Sequence, residues 1–282
     1  MTVIDVPRDL DSRSVGALLR EWRQRRRLSQ LELSLEADVS TRHLSYVETG
    51  RSRPTSQMIL RLAERLEVPL RERNALLLAG GYAPAYPQNG LTSPDLAAVR
   101  QALRQVLDGH RPYPAVVVDR SWHLLDANAS IELFTEGAAA DLLAEPCNVL
   151  RLSLHPEGMA PRIANLGQWR AHLLARLRHE ADTVADPVLT DLYHELRGYP
   201  CDQPEPDIAT PGPGSVVVPM RYRYPVDGQE RELSFFSTTA VFGTPLSVTV
   251  AELAIESFYP ADEPTGAALR TLATRQDGTV PA

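Results

Sequence analysis

Between residues 13 and 26 the apolar positions Val15, Leu18, Leu19 and Trp22 recur at helical spacing and share one face. Ser29 followed by Glu32 has the form of a capping box, so a second helix begins there. Ser40 can cap a third helix running to about Glu48, and Gly50 stops it. Beyond the loop "RSRPTSQ", Met58, Ile59, Leu62, Ala63 and Leu66 mark a fourth helix. Pro69 interrupts, and Arg71 to Ala79 form a fifth, closed by Gly80-Gly81. This pattern predicts a compact all-α module over 12–80.

The texture then changes. "GGYAPAYPQNGLTSP" is rich in Gly and Pro, and 81–94 reads as a linker. A helix is expected over 95–108. "PAVVVD" and "WHLLDAN" read as two strands joined by a tight turn at Arg120-Ser121. Helices are expected over 129–135, 165–184 and 187–197; the long one puts Leu166, Trp169, Leu173, Leu177 and Val184 on one face. After the Pro-rich loop "PCDQPEPDIATPGPG" come three strand-like runs, Ser215–Tyr224, Glu230–Phe242 and Leu246–Tyr259, with a hairpin turn at Asp227-Gly228. Strands, then helices, then strands predict an α+β domain over 95–262 on a five-stranded antiparallel sheet. A flexible tail is expected over 263–282.

Charge sharpens this division. The chain has no lysine; residues 1–80 hold 14 Arg against 11 Asp and Glu, whereas 81–282 hold 15 Arg against 25 acids. Within a net charge of −7, phosphate binding would therefore be local and carried by arginine. No apolar run is long enough to cross a bilayer and no secretory signal pattern is present. The two cysteines, Cys147 and Cys201, make no disulfide framework. A cytoplasmic protein without membrane association is expected.

In the N-terminal module Leu33, Val39 and Leu44 would pack two helices together, leaving Thr41, Arg42, Ser45 and Tyr46 outward, just after the capping Ser40. A helix presented in this way fits the major groove of double-stranded DNA. Arg42 suits bidentate reading of guanine. Gln30 can hold a phosphate at a helix N-terminus, and Arg51 and Arg53 suit phosphate contacts that position without specifying. The run "RQRRR", Arg23 to Arg27, reads equally as a solvated face or as phosphate contacts. Leu28-Ser29-Gln30, Ala37, Val39, Leu44, Glu48, Gly50, Arg51 and Pro54 together resemble the helix-turn-helix of the Xre/Cro family of transcription regulators. That resemblance implies a structural pairing of Glu48 with Arg23. One departure is Asp38, where the family usually has Gly; Asp tolerates a left-handed turn better than most residues.

For the C-terminal domain the chemistry is mostly negative. There is no Gly-x-Ser-x-Gly elbow, "GPGSVV" lacks a third glycine and a following helix, and the Cys and His residues lack metal-site spacing. No catalytic residue, metal or cofactor is expected, and the protein is not expected to be an enzyme. "PAVVVDRSWHLLDANASIELF", the helix around Trp169, and "FFSTTAVFGTPLSVTVAELAIESFYPAD" look like the MmyB-like ligand-binding domain, whose fold is similar to PAS domains. Residues 198–214 are short and Pro-rich where many relatives carry a longer helical insertion. The resemblance implies an apolar ligand, a fatty acid or other acyl-type metabolite. Trp169, Leu173, Leu177, Met220, Tyr222, Leu233 and Phe235, with Val117, Leu124 and Val250, could line such a pocket or simply fill the core. Asn128 and Arg170 could meet a head group.

The expected function is a sequence-specific, homodimeric regulator whose PAS-like domain binds a small apolar ligand and modulates operator binding. The alternatives are a C-terminal domain that only dimerises or binds a protein partner, and a haem or flavin sensor.

Overall fold

The computed structural model describes residues 14–184, 186–204, 218–226 and 228–278. The chain divides into two compact units. One comprises residues up to Gly90 together with Thr244–Ala251; the other comprises Leu91–Gly243 and the chain from Glu252 onward.

The first unit holds α1 (Val15–Arg25), α2 (Gln30–Glu36), α3 (Thr41–Glu48), α4 (Ser56–Arg65) and α5 (Leu70–Ala79). Local chemistry explains their starts. Ser14, Ser29, Ser40 and Thr55 each accept a backbone N–H with their hydroxyl, and Ser29 and Glu32 complete a reciprocal capping box. Asp38 takes φ 52° in the turn before α3, the left-handed conformation expected of it. Leu19, Leu33, Leu44, Ile59, Leu62 and Leu66 are fully buried in the core. Gly16 lets α1 approach α3: a Cβ there would lie 2.0 Å from the Val47 carbonyl oxygen.

Residues 81–87, expected as part of a linker, are instead built into this unit. The Asn74 side chain accepts from Ala85 and Tyr86 N–H and donates to the Tyr86 carbonyl, and the Tyr82 hydroxyl donates to the Pro54 carbonyl.

The second unit opens with α6 (Ala97–Gly109), β1 (Ala115–Val118) and β2 (Leu124–Ala127). It continues through α7 (Glu132–Thr135), α8 (Ala140–Leu143), α9 (Val149–Leu154), α10 (Leu166–Val184) and α11 (Pro187–Arg197) to β3 (Met220–Val226) and β4 (Gln229–Val241). Between β4 and β5 (Ala254–Pro260) lies α12 (Val248–Ala251), which belongs to the first unit. There Val248 N–H donates to the Pro87 carbonyl and Thr249 Oγ1 to the Asn89 carbonyl. The strands form an antiparallel five-stranded sheet in the order β2-β1-β5-β4-β3, in a PAS-like α+β arrangement.

Side-chain alternation gives the sheet two apolar faces. Ala115, Val117 and Ile255 pack with Leu103 and Leu107 of α6. Val116, Val118, Met220, Tyr222 and Phe235 face the larger core built with α7, α9, α10 and α11.

Two expectations fail here. Residues 246–251 do not extend a strand: α12 occupies 248–251. The expected tail over 263–278 is helix α13 (Glu263–Gly278), whose Ala268 and Leu269 are buried in the larger core. The helix is anchored at its start, where the Thr265 hydroxyl accepts from Ser234 N–H at 2.9 Å. Residues 1–13, 205–217 and 279–282 lie outside the described residues, as does Asp227 of the expected hairpin turn. The start of the domain expected from residue 12, most of the Pro-rich loop and the first residues of the run from Ser215 fall among them.

Candidate functional site

The outward side of α3 comes first. Arg42 is exposed, donates from Nε to the Tyr46 hydroxyl at 3.1 Å, and has its guanidinium 5.5 Å from the Tyr46 ring centroid. Ser40 caps the helix, and its hydroxyl accepts from His43 N–H. Thr41 is half-buried, its hydroxyl 2.8 Å from that of Ser34, while Ser45 and Tyr46 are half-exposed. Arg51 is exposed in the following loop.

Behind this surface sits a buried ion pair. Arg23 donates to both Glu48 oxygens at 2.7 and 2.8 Å and to the Leu28 carbonyl at 2.7 Å, and Gln30 Nε2 donates to Glu48 at 2.8 Å. Burial alone would raise the Glu48 pKa, but the hydrogen bonds from Arg23 and Gln30 and the Arg23 charge outweigh it and hold the carboxyl below its usual range. The pair fixes α3 against α1.

Several expected phosphate partners have other duties. The Gln30 amide is committed to Glu48 through its N–H. Arg53 lies with Nε and Nη2 on the Gly80 carbonyl and its guanidinium over Tyr82. In the arginine run, Arg23 is buried, Arg25 pairs with Glu21, and Arg26 donates to the Leu66 and Glu67 carbonyls.

The second unit contains a cavity of about 60 Å³ between the sheet and its helical cover. Val116, Met220, Glu256 and Phe258 form the sheet side; Phe134, Leu150, Leu152, Trp169 and Leu173 come from α7, α9 and α10. Trp122, Leu124, Ile131, Thr135, Val149, Ser153 and Met159 complete the wall. The indole N–H groups are both engaged in hydrogen bonds. Trp122 donates to Glu180 and Trp169 to Ser153, both at 3.0 Å. Glu256 is buried and accepts from Arg176 Nη1 at 3.1 and 3.2 Å and from the Thr239 hydroxyl at 3.0 Å. Arg176 also reaches Glu180 and lies 4.4 Å from the Trp122 ring centroid. Burial, and then the Arg176 charge, push the His172 pKa down toward the neutral form.

The structure brings Trp169, Leu173 and Met220, with Leu124, to this cavity and leaves the other expected lining residues elsewhere. Leu177, Tyr222, Leu233 and Phe235 are buried in the surrounding core, Val117 faces α6, and Val250 lies in α12. Asn128 is not a head-group partner in this structure: its amide joins Ala115 N–H to the Leu107 and Tyr113 carbonyls, stitching β1 to the end of α6. Arg170 is buried on α10 and donates to the Arg197 carbonyl, outside the cavity wall. Trp122, Met159 and Glu256 were not anticipated. The one legible signal was Glu256 itself, a carboxylate inside the apolar run "LAIESFY".

Comparison with known proteins bears on both surfaces. The family model described as "MmyB-like transcription regulator ligand binding domain" matches residues 99–272, more than half of the chain. The chain belongs to this family. A helix-turn-helix model matches residues 19–73, covering the Arg23–Glu48 pair and α3. The MmyB-like domain is thus joined to an Xre-type helix-turn-helix, and the chain is a DNA-binding transcription regulator with a ligand-binding domain.

A search of curated proteins gives no match. Among solved structures, the clp gene regulator ClgR from Corynebacterium glutamicum is 24% identical, over 35% of this chain and 90% of that one, with a TM-score of 0.21. The PAS domain of BvgS from Bordetella pertussis is 17% identical over 64% and 98%, with a TM-score of 0.25. An RNA-binding light-oxygen-voltage receptor is 16% identical over 94% and 65%, with a TM-score of 0.27. At TM-scores of this size none of these likenesses carries an argument.

Among the described residues no group of three His, Cys, Asp or Glu could hold a metal ion, and no helix is long and apolar enough to cross a membrane.

Proposed function

We propose that the MmyB-like domain senses a small apolar molecule, acyl-type metabolites included, and that occupancy of its cavity changes the affinity of the helix-turn-helix for its operator. The observation that carries this reading is the cavity itself: an apolar space walled by Trp122, Trp169, Phe134 and Leu173. Its volume is about that of two water molecules, so a ligand of more than a few heavy atoms has to displace its walls. Met159 and Met220 line it, and unbranched thioether side chains yield more readily than branched ones.

A route to the DNA-binding unit is available along the chain. Thr239 on β4 and Glu256 on β5 meet beside the cavity, and the segment joining these strands, 244–251, is hydrogen-bonded within the DNA-binding unit. A ligand that favours one arrangement of β4 and β5 would shift the population of that segment. At the DNA, Arg42 and its neighbours Thr41, Ser45 and Tyr46 are proposed to read base edges, with Ser40 and Arg51 beside the backbone. One such helix covers few base pairs, so the protein is proposed to act as a homodimer on half-sites roughly 34 Å apart, one helical turn.

The test is a native mass of the full chain set against its denatured mass, followed by operator binding with and without the molecule released. A changed operator affinity at saturating ligand is expected. A stoichiometric protein with no adduct, together with unchanged affinity when acyl compounds are added, would leave the domain as a dimerisation or partner-binding module. A Leu173→Trp variant, which fills the cavity, should lose the ligand and keep the DNA response of one fixed state.

A further inference from the structure

The turn between β1 and β2 joins the cavity wall to the chain that leads into the DNA-binding unit. Trp122 lines the cavity with its backbone at φ 65°, a left-handed conformation that a bulky side chain disfavours. Its side chain holds it there. The residue is buried, Nε1 donates to Glu180 at 3.0 Å, and the Arg176 guanidinium lies 4.4 Å from the ring centroid. A cavity of about 60 Å³ has to move its walls to take a ligand. Displacing Trp122 costs side-chain contacts and in return relieves a strained backbone.

The turn is tied together so that Arg120 follows Trp122. Asp119 Oδ1 accepts from Ser121 and His123 N–H at 2.8 and 2.9 Å. Trp122 N–H donates to the Asp119 carbonyl at 3.0 Å, and Asp119 N–H to the His123 carbonyl at 3.1 Å. Arg120 in turn meets two carboxylates. Its Nη1 donates to Glu252 Oε1 at 3.3 Å. Its Nη2 pairs with Asp186 Oδ2, while Asp186 Oδ1 caps α11 by accepting from Val188 N–H at 2.9 Å. Arg120 and Glu252 are both half-buried, so their attraction is less screened than that of a surface pair.

Glu252 directly follows Ala251, the last residue of the segment 244–251 that belongs to the DNA-binding unit. Within that segment Val248 is fully buried and its N–H donates to the Pro87 carbonyl. One peptide bond therefore separates the partner of Arg120 from chain that is fixed in the other unit.

We propose that Arg120 is the positioning residue that carries cavity occupancy to the DNA-binding unit. Ligand displaces Trp122, the turn takes Arg120 with it, and the Arg120–Glu252 pair shifts the C-terminal end of 244–251. This rests on the cavity being the ligand site and on occupancy altering operator affinity.

The experiment uses the full chain, a DNA duplex that it selects from random sequence, and n-decanoate as the probe. Calorimetry follows the probe and fluorescence anisotropy follows the duplex. In the unaltered protein decanoate should change duplex affinity by about fivefold or more, the lower end of ordinary allosteric coupling. Arg120→Gln and Glu252→Gln should each bind decanoate within about twofold of the unaltered protein, while the change in duplex affinity falls to within about twofold. Either variant suffices should the other fail to fold. Asp186→Asn removes the other charge that Arg120 meets and keeps an oxygen for the α11 cap. It should retain the full change, a result that general loosening of the turn would not give. Leu173→Trp fills the cavity without a ligand, and its shift in duplex affinity should vanish in the Leu173→Trp/Arg120→Gln double variant. A full response in the glutamine variants, or an equal loss in Asp186→Asn, would overturn the proposal and leave the sensing function standing. Duplex affinity that answers neither decanoate nor Leu173→Trp would instead remove the sensing function, and this proposal with it.

Discussion

In the helix-turn-helix unit Arg23 meets Glu48 at 2.7 and 2.8 Å; in the MmyB-like domain Arg176 meets Glu256 at 3.1 and 3.2 Å. Both glutamates are buried, but Arg23 is buried with its partner whereas Arg176 is half-exposed, and their settings differ. Glu48 is closed in by Gln30 as well as Arg23, while a further Arg23 hydrogen goes to the Leu28 carbonyl. Glu256 stands at the wall of a cavity, and Arg176 is divided among Glu256, Glu180 and Thr239. A pair enclosed by protein partners holds two helices in register. A pair spread over a strand, a neighbouring hydroxyl and an indole ring instead backs the wall of an apolar cavity. The same two residue types therefore lock two helices together in one unit and support a cavity wall in the other, and the neighbours decide which.

The sharpest way to break this comparison is to remove the enclosed carboxylate. Glu48→Ala strands Arg23 in the core and should cost about 3–5 kcal/mol of stability in the N-terminal unit, measured by denaturant unfolding. Next in size is Asn128→Ala. It removes the partners of Ala115 N–H and the Tyr113 carbonyl, leaves the Leu107 carbonyl only its bond from His110 N–H, and should cost about 3 kcal/mol, with ligand affinity unchanged once the protein is folded. A selective loss of ligand binding at full stability would return Asn128 to the role of a head-group partner. Arg42→Ala should weaken operator binding by about 1–3 kcal/mol and relax preference at one base position. Arg51→Ala should act more weakly and uniformly across sequences, lowering the salt slope by about one unit.

The smallest effect is one of pH. The Glu48 carboxyl titrates below its ordinary value in the folded unit. Its contribution is therefore complete above the usual carboxylate range and is lost as pH falls through the depressed folded value. Unfolding midpoints taken downward through the acid range should show this loss, and Glu48→Gln should flatten it.

The reading of the sequence succeeded where structure is local. Ser29 with Glu32, and Ser40 ahead of α3, announce helix starts that the hydrogen bonds then make. Leu33, Leu44, Ile59 and Leu62 recur at helical spacing and are all buried. In the MmyB-like domain β1 to β4 and α10 were also legible. Residues 263–278 were not: α13 carries short apolar residues and an unremarkable composition, and it is ordered by Thr265 meeting Ser234 and by Ala268 and Leu269 entering the core. Nor were 248–251, which read as strand by their Val and Thr content yet form a helical turn. Asn128 and Arg170 read as free polar groups because nothing local shows that distant backbone carbonyls take up their donors.

The sequence by itself determined the two-part organisation, the helix-turn-helix with its outward Arg42, and the α+β class of the rest. These follow from caps, periodicity and turn residues, interactions that reach only a few positions along the chain. Only the tertiary structure decided which apolar residues bound a cavity and which fill a core, and that Glu256 lies on the cavity side of the sheet with its carboxylate engaged by Arg176 and Thr239. The physical reason is register. Glu256 faces the cavity because β5 pairs with β1 and β4 in one alignment, and a slip of one residue would turn its side chain to the other face.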